Sequence, residues 1–194
     1  MSHVLANEVE KQAKAEFGFW LYLMTDTLLF ASLFATYMIL RGNTAGGESA
    51  SVLLDPKYAL LETVLLLTSS FTCGIAVLAL RFKRRALALG LLGTTLLLGL
   101  GFIALELNEF ISLVNEGQSW KVSAFLSAFF TLVATHGLHI TIGLIWGGVM
   151  AVYLMRSGTT SDAVRKFTLF SLFWHFLDLV WIFIFTIVYL GAAL

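Results

Sequence analysis

Seven ionisable side chains stand inside long apolar stretches of this 194-residue chain: Asp26, Glu62, Glu106, His136, His139, His175 and Asp178. In a membrane a charge near the bilayer centre costs between about 3 and about 15 kcal/mol, so each of them requires a reason. Two reasons are open from the residues alone: a proton-accepting cluster, or polar side chains that hydrogen-bond helices together. His136 and His139 are three residues apart, so on a helix they sit about 60° apart around the axis and face a similar direction. That spacing could bring both to one metal. A haem needs axial ligands on opposite faces, so His175 would have to supply the second one. His175 and Asp178 are also three apart, close enough for the carboxylate to orient the imidazole. Asp26 is expected to face the protein interior, with Thr25 and Thr27 near enough to help satisfy it.

A second pattern runs at steps of four through Ser123, Ser127, Thr131, Thr135, His139, Gly143, Gly147 and Ala151. Every member is small or polar, which predicts a ridge facing another helix, with close backbone approach at the glycines and hydroxyls bonding across. Ser127, Thr131, Thr135, Gly143 and Gly147 are therefore packing candidates. No phosphate-binding glycine loop, nucleophile motif or internal repeat is present, and no catalytic residue is expected.

The elements that must position these groups follow from composition. Hydrophobic residues make up 59% of the chain and charged ones 12%, against about 25% charged in a soluble domain. The 12 basic and 12 acidic residues cancel, so no field attracts nucleic acid. The lone Cys73 excludes a disulfide framework. Five apolar runs, at residues 17–40, 58–80, 86–107, 123–155 and 167–191, each reach the roughly 20 residues that a membrane helix needs. They lack the alternation of barrel strands. The fold class is thus all-α: a polytopic membrane protein, a bundle of five transmembrane helices forming one domain over residues 1–194. Residues 1–16 mix acids and bases and read as a retained cytoplasmic N-terminal segment instead of a removable signal peptide. Lys11, Lys14, Arg81, Lys83, Arg84, Arg85, Arg156, Arg165 and Lys166 fall on the side of the N-terminus, and Arg41, Lys57 and Lys121 on the other. This excess predicts a cytoplasmic N-terminus and a periplasmic C-terminus. By depth, Asp26, the two histidines of the fourth run and the His175–Asp178 pair lie near the middle, with Glu62 and Glu106 nearer the outer surface.

Four strings carry a resemblance: FGFWLYLMTDTLLFASLFATY at 17–37, ALELNEF at 104–110, FLSAFFTLVATHGLHITIGLIW at 125–146 and SLFWHFLDLVWIFIFTIVYL at 171–190. With HGLH and WHFLDLVW in that order on the last two helices, the chain resembles subunit III of the haem-copper respiratory oxidases, in the five-helix form of bacterial cytochrome bo-type ubiquinol oxidases. The match covers nearly the whole chain. The resemblance implies a non-catalytic subunit of a proton-translocating quinol oxidase in the bacterial inner membrane. It implies no haem or copper in this chain, since those lie in partner subunits. Subunits I and II and a small subunit IV are the implied partners, together with membrane phospholipids. The implied role is to stabilise the catalytic subunit, hold lipids and support proton uptake. The family's first shared helix bears a buried carboxylate, Glu in many cytochrome c oxidases, at the position of Asp26.

The residues leave other classes open. A cytochrome c oxidase subunit would look alike, since the electron donor is oxidised elsewhere. A haem-binding membrane anchor would use His136 or His139 with His175, and a small ion transporter would use the buried acids. Against a transporter stand the odd number of helices and the placement of the single proline, Pro56, in a loop.

Overall fold

The structure is a computed structural model and describes residues 2–193. Helix α1 spans Ser2–Leu40, a one-turn helix α2 Ala50–Leu53, α3 Pro56–Arg81, α4 Arg85–Asn115, α5 Ala124–Ser157 and α6 Ser161–Ile184. The last helix runs on through a π-helical stretch, Phe185–Leu190, into α7, Gly191–Ala193. Among the described residues there is no strand, and five helices are long and apolar enough to cross a membrane.

Local chemistry sets the helix ends. Asp55 accepts a hydrogen bond from the Lys57 amide (2.9 Å) with Pro56 just inside α3. Ser123 caps α5 by accepting from Leu126 N (3.1 Å), and Thr160 caps α6 by accepting from Ala163 N (3.2 Å). Each cap satisfies an amide that the helix itself leaves unpaired. At the α3 C-terminus, Arg84 N donates to Ala79 O and Lys83 N to Leu80 O, both at 2.9 Å, the paired bonds of a Schellman turn. The left-handed position of that turn is held by Lys83, at φ +58°. The same turn ends α4, with Gly117 at φ +81° and Gln118 N donating to Leu113 O.

Two helices run past their apolar runs. α1 begins at Ser2 because residues 2–16 are rich in helix formers and include the i,i+4 ion pair Glu10–Lys14 (2.6 Å). α4 continues to Asn115, carrying Glu106 and Glu109 on consecutive turns.

α3 and α4 pair most extensively, α6 packs against α3 and α5, and α1 lies at the periphery against α5. Two buried tryptophans of α6 bind it to α3. Trp174 Nε1 donates to Ser69 Oγ (2.9 Å) and Trp181 Nε1 to Thr63 Oγ1 (3.0 Å). The Trp174 ring lies between bare backbones: a Cβ at Gly99 or at Gly143 would stand 2.9 Å from it. Packing outweighs the hydrogen bond here, since a membrane side-chain hydrogen bond averages about 0.6 kcal/mol whereas emptying a tryptophan site costs about 3–5 kcal/mol.

Candidate functional site

The buried polar side chains fall into three groups at different places in the bundle. In the first, Asp26 of α1 faces His139 of α5, with Asp26 Oδ2 3.7 Å from His139 Nε2 and both residues buried. His139 Nδ1 lies 2.7 Å from Thr135 O. A carbonyl oxygen only accepts, so Nδ1 carries the hydrogen and Nε2 is the nitrogen turned to Asp26. The two groups face each other across a gap beyond direct hydrogen-bond reach, and Asp26 Oδ2 has no hydrogen-bond partner within the chain. Phe30, itself buried, packs on His139, their centroids 5.2 Å apart. Asp26 does face the interior, but Thr25 and Thr27 do not satisfy it: their hydroxyls bond back to Tyr22 O (2.7 Å) and Leu23 O (2.8 Å). On a helix a short hydroxyl reaches its own preceding turn more readily than a neighbour one residue along.

The second group lies toward the end of the bundle that holds the α3 N-terminus. Glu62 and Glu106 are buried, and Glu109 is half-buried and accepts from Tyr189 Oη (2.7 Å). The π-helical stretch, a wider turn of a kind common at functional sites, carries that tyrosine. Glu106 fits because α5 presents no side chain to it at Gly137. Both Glu62 carboxyl oxygens and Glu106 Oε1 have no hydrogen-bond partner within the chain.

His136 does not join His139. It is fully buried, stacked on Trp181 (5.3 Å, 28°) with Phe102 edge-on (5.8 Å), and neither ring nitrogen has a protein partner. The 60° between the two histidines suffices to send one ring to α6 and the other to α1. Among the described residues no group of three or more His, Cys, Asp or Glu side chains could hold a metal.

The third group corrects two sequence expectations. His175, expected among the buried groups, is exposed, because Trp174 takes the inward face of α6 and the next residue is turned about 100° from it. Nor is its partner Asp178. Ser70 Oγ lies 2.5 Å from His175 Nδ1 and Ser171 Oγ 3.2 Å from Nε2, while Asp178 is buried with Oδ1 unpartnered in the chain.

The small-residue ridge of α5 divides in the same way. Gly143 packs under Trp174, and a Cβ at Gly147 would meet Leu96 and Phe170. Its other half does not bond across. Thr131 is exposed, and the Thr131 and Thr135 hydroxyls return to Ser127 O (2.7 Å) and Thr131 O (2.6 Å) of their own helix. Ser127 donates to Trp120 O, and it lines with Thr131 an open groove of about 720 Å³ between α4 and α5. A ridge at steps of four rotates about 40° per step, so it cannot keep one neighbour over eight members.

Sequence reasoning passed over Glu109, Tyr189, Ser69 and Ser70. The three-residue spacing of Glu106 and Glu109 was a visible signal for the first. The others depend on cross-helix contacts.

The family described as cytochrome c oxidase subunit III matches residues 6–193. The chain is 51% identical over 178 residues to the cytochrome bo(3) ubiquinol oxidase subunit 3 of Pseudomonas aeruginosa, covering 92% of this chain and 85% of that protein. It is 47% identical over 175 residues to the quinol oxidase subunit 3 of Bacillus subtilis, covering 89% and 85%. To the cytochrome c oxidase subunit 3 of a Bacillus species it is 47% identical over 176 residues, covering 89% and 84%.

Proposed function

Because the chain belongs to the cytochrome c oxidase subunit III family, we propose that it is the non-catalytic third subunit of a bacterial quinol oxidase, a multi-pass protein of the inner membrane. The observation that carries this is the 51% identity to a bo(3) ubiquinol oxidase subunit over 92% of the chain. Its partners are oxidase subunits I and II and a small subunit IV, with phospholipids at the boundaries.

The haems and copper that supply electron transfer and oxygen reduction belong to the partner subunits. The three histidines of the apolar runs support this assignment. His139 bonds to Thr135 O and faces Asp26, His136 is stacked on Trp181, and His175 is held by two serines, so no two of these three imidazoles face one iron. What this chain contributes is a rigid bundle in which the buried Asp26 faces His139 near the middle of α1 and α5, an arrangement that fits a supporting role in proton uptake. The remaining buried acids, Glu62, Glu106 and Asp178, each keep a carboxyl oxygen without a partner in the chain and so do not tie its helices together. The N-terminus is cytoplasmic, in keeping with the cations gathered at the α3–α4 turn and the α5–α6 turn.

The test is to purify the complex from its native membrane, identify haems and partner chains, and assay oxygen consumption with ubiquinol and with reduced cytochrome c. Ubiquinol is the expected donor. The relative named as a cytochrome c oxidase subunit supports the second reading, in which cytochrome c is the donor, and turnover with cytochrome c alone would establish it.

A further inference from the structure

We propose that Glu62, Glu106 and His136 enclose a bound-water site inside the bundle, and that Glu109 and Tyr189 connect it to the aqueous phase at the end that holds the α3 N-terminus. The ligand is water, taken up as a short chain of molecules that donate to the two carboxyl groups and bond to the imidazole. The site is separate from the Asp26–His139 pair and independent of which electron donor the complex uses.

Five buried polar atoms lack a partner in the chain here: both carboxyl oxygens of Glu62, Oε1 of Glu106 and both ring nitrogens of His136. Glu62 and His136 are completely buried, and Glu106 is 3% exposed. Three helices bring these residues to one region. Glu106 lies against the bare α-carbon of Gly137, the residue after His136. The His136 ring meets Phe102, one turn from Glu106, and stacks on Trp181, whose indole donates to Thr63, the residue after Glu62. The acids do not serve the imidazole directly, since neither ring nitrogen reaches a carboxyl oxygen. Left dry, five such atoms would together cost an amount that rivals the whole folding free energy of a domain. Hydrocarbon offers them neither donor nor acceptor. Water offers both, and one buried molecule bonds to about two to four polar groups. Among the described residues no group of three or more His, Cys, Asp or Glu side chains could hold a metal ion, so the geometry suits water and not a coordinated cation.

The route from the aqueous face is polar. Glu109 follows Glu106 on the next turn of α4, is half-buried, and lines a groove of about 190 Å³ with Asp55, Tyr58, Asn108 and Glu116. Asp55 caps the start of α3 and Glu116 the end of α4, so the groove opens at the end of the bundle. Its wall is held by Tyr58, whose Oη donates to Leu105 O (3.0 Å) and accepts from Asn108 Nδ2 (3.3 Å). Tyr189 donates to Glu109 (2.7 Å) and lies within electrostatic reach of Glu62 and Glu106 as well. The π-helical turn thus carries one hydroxyl to the junction between the groove and the inner acids. The inlet ends at His136, the thirteenth of the thirty-four residues of Ala124–Ser157, where Phe30, Phe102 and Trp181 close around the ring. Such a chain passes protons as well as water, because every molecule in it both donates and accepts. It ends blind, so it serves one face of the membrane.

The first experiment is a density map of the unaltered protein, purified with whatever chains accompany it, at a resolution that shows ordered water on its surface. Water density is expected within hydrogen-bond distance of Glu62, of Glu106 and of at least one His136 nitrogen. Direct contacts among the three side chains with no density between them, or a metal ion coordinated there, would overturn the proposal. The second measurement tests the route in native membrane fragments, with Glu106→Cys and a small water-soluble methanethiosulfonate. The introduced thiol should react about tenfold or more faster than the parent's buried Cys73, since a hydrated thiol forms the reactive thiolate and a dry one does not. A thiol as inert as Cys73, in a variant that accumulates to the parent level, removes the route to the aqueous face. If Glu106→Cys does not accumulate, the map of the unaltered protein decides by itself.

Discussion

The carboxyl group of Glu106 lies against the bare α-carbon of Gly137: a Cβ added at Gly137 would stand 2.6 Å from each of its two oxygens. The contact joins α4 to α5 beside His136, and it explains why the sequence HGLH carries a glycine after its first histidine. Gly137→Ala should therefore destabilise the subunit by about 1–3 kcal/mol, the usual cost of overpacking. Glu106→Ala in the same chain should recover most of that loss. A thermal-unfolding double-mutant cycle reads the coupling, and strictly additive effects would refute the contact.

Trp174 offers a test of packing against hydrogen bonding. Trp174→Ala removes the ring seated between Gly99 and Gly143 and should cost about 3–5 kcal/mol. Ser69→Ala, which removes only the acceptor of the indole N–H, should cost roughly 0.6–1.7 kcal/mol. Equal losses of thermal stability in the two variants would show that the hydrogen bond, and not the fit of the ring, holds α6.

For the Asp26–His139 pair, Asp26→Ala is expected to leave assembly of the complex largely intact while shortening the period over which turnover is sustained. If the two residues act as one unit, His139→Leu should give the same loss and the double variant no more than either. Subunit yield and oxygen consumption over prolonged turnover, followed in the same membranes, decide the matter. Lost assembly with normal activity in whatever complex survives would make the pair purely structural.

The two Schellman turns differ in one residue type and should respond oppositely. Lys83 occupies a left-handed conformation that suits glycine, so Lys83→Gly should be neutral or stabilise by up to about 1 kcal/mol. Gly117→Ala imposes the same strain where none exists and should destabilise by about 1 kcal/mol. Melting of the purified complex measures both, and a marked loss with Lys83→Gly would show that the lysine side chain matters more than its backbone.

Orientation is tested by tags at the two termini in intact spheroplasts. The C-terminal tag should be cleaved by external protease and the N-terminal tag protected. The reverse pattern would invert the bundle and place the basic turn at residues 81–85 outside, against the usual bias of cations to the cytoplasmic side.

The amino-acid sequence by itself determined that the chain is a bundle of five membrane-crossing helices, because the length and apolarity of each run leave no other way to satisfy the backbone in lipid. It also singled out the ionisable residues that need an explanation, because a charge in an apolar run is visible without knowing any contact. The ends of the helices were less legible. The polar leader to Leu40 reads as one helix only when propensity outweighs hydropathy, and α4 passes through Glu106 and Glu109 without a break.

Tertiary structure alone decided which of those residues meet. Spacing along one helix fixes a direction to within about a quarter turn, too coarse to tell which neighbour a side chain will reach. Thus His136 and His139, three apart, go to Trp181 and to Asp26, and His175 pairs with Ser70, 105 positions away in the chain, instead of with Asp178. The hydroxyls of Thr25, Thr27 and Thr131 turned to their own helices, where the nearest carbonyl lies one turn back. Tyr189 reached Glu109 because the backbone there opens into a π-helical turn, and His175 stayed at the surface because Trp174 claimed the glycine-lined space between α4 and α5.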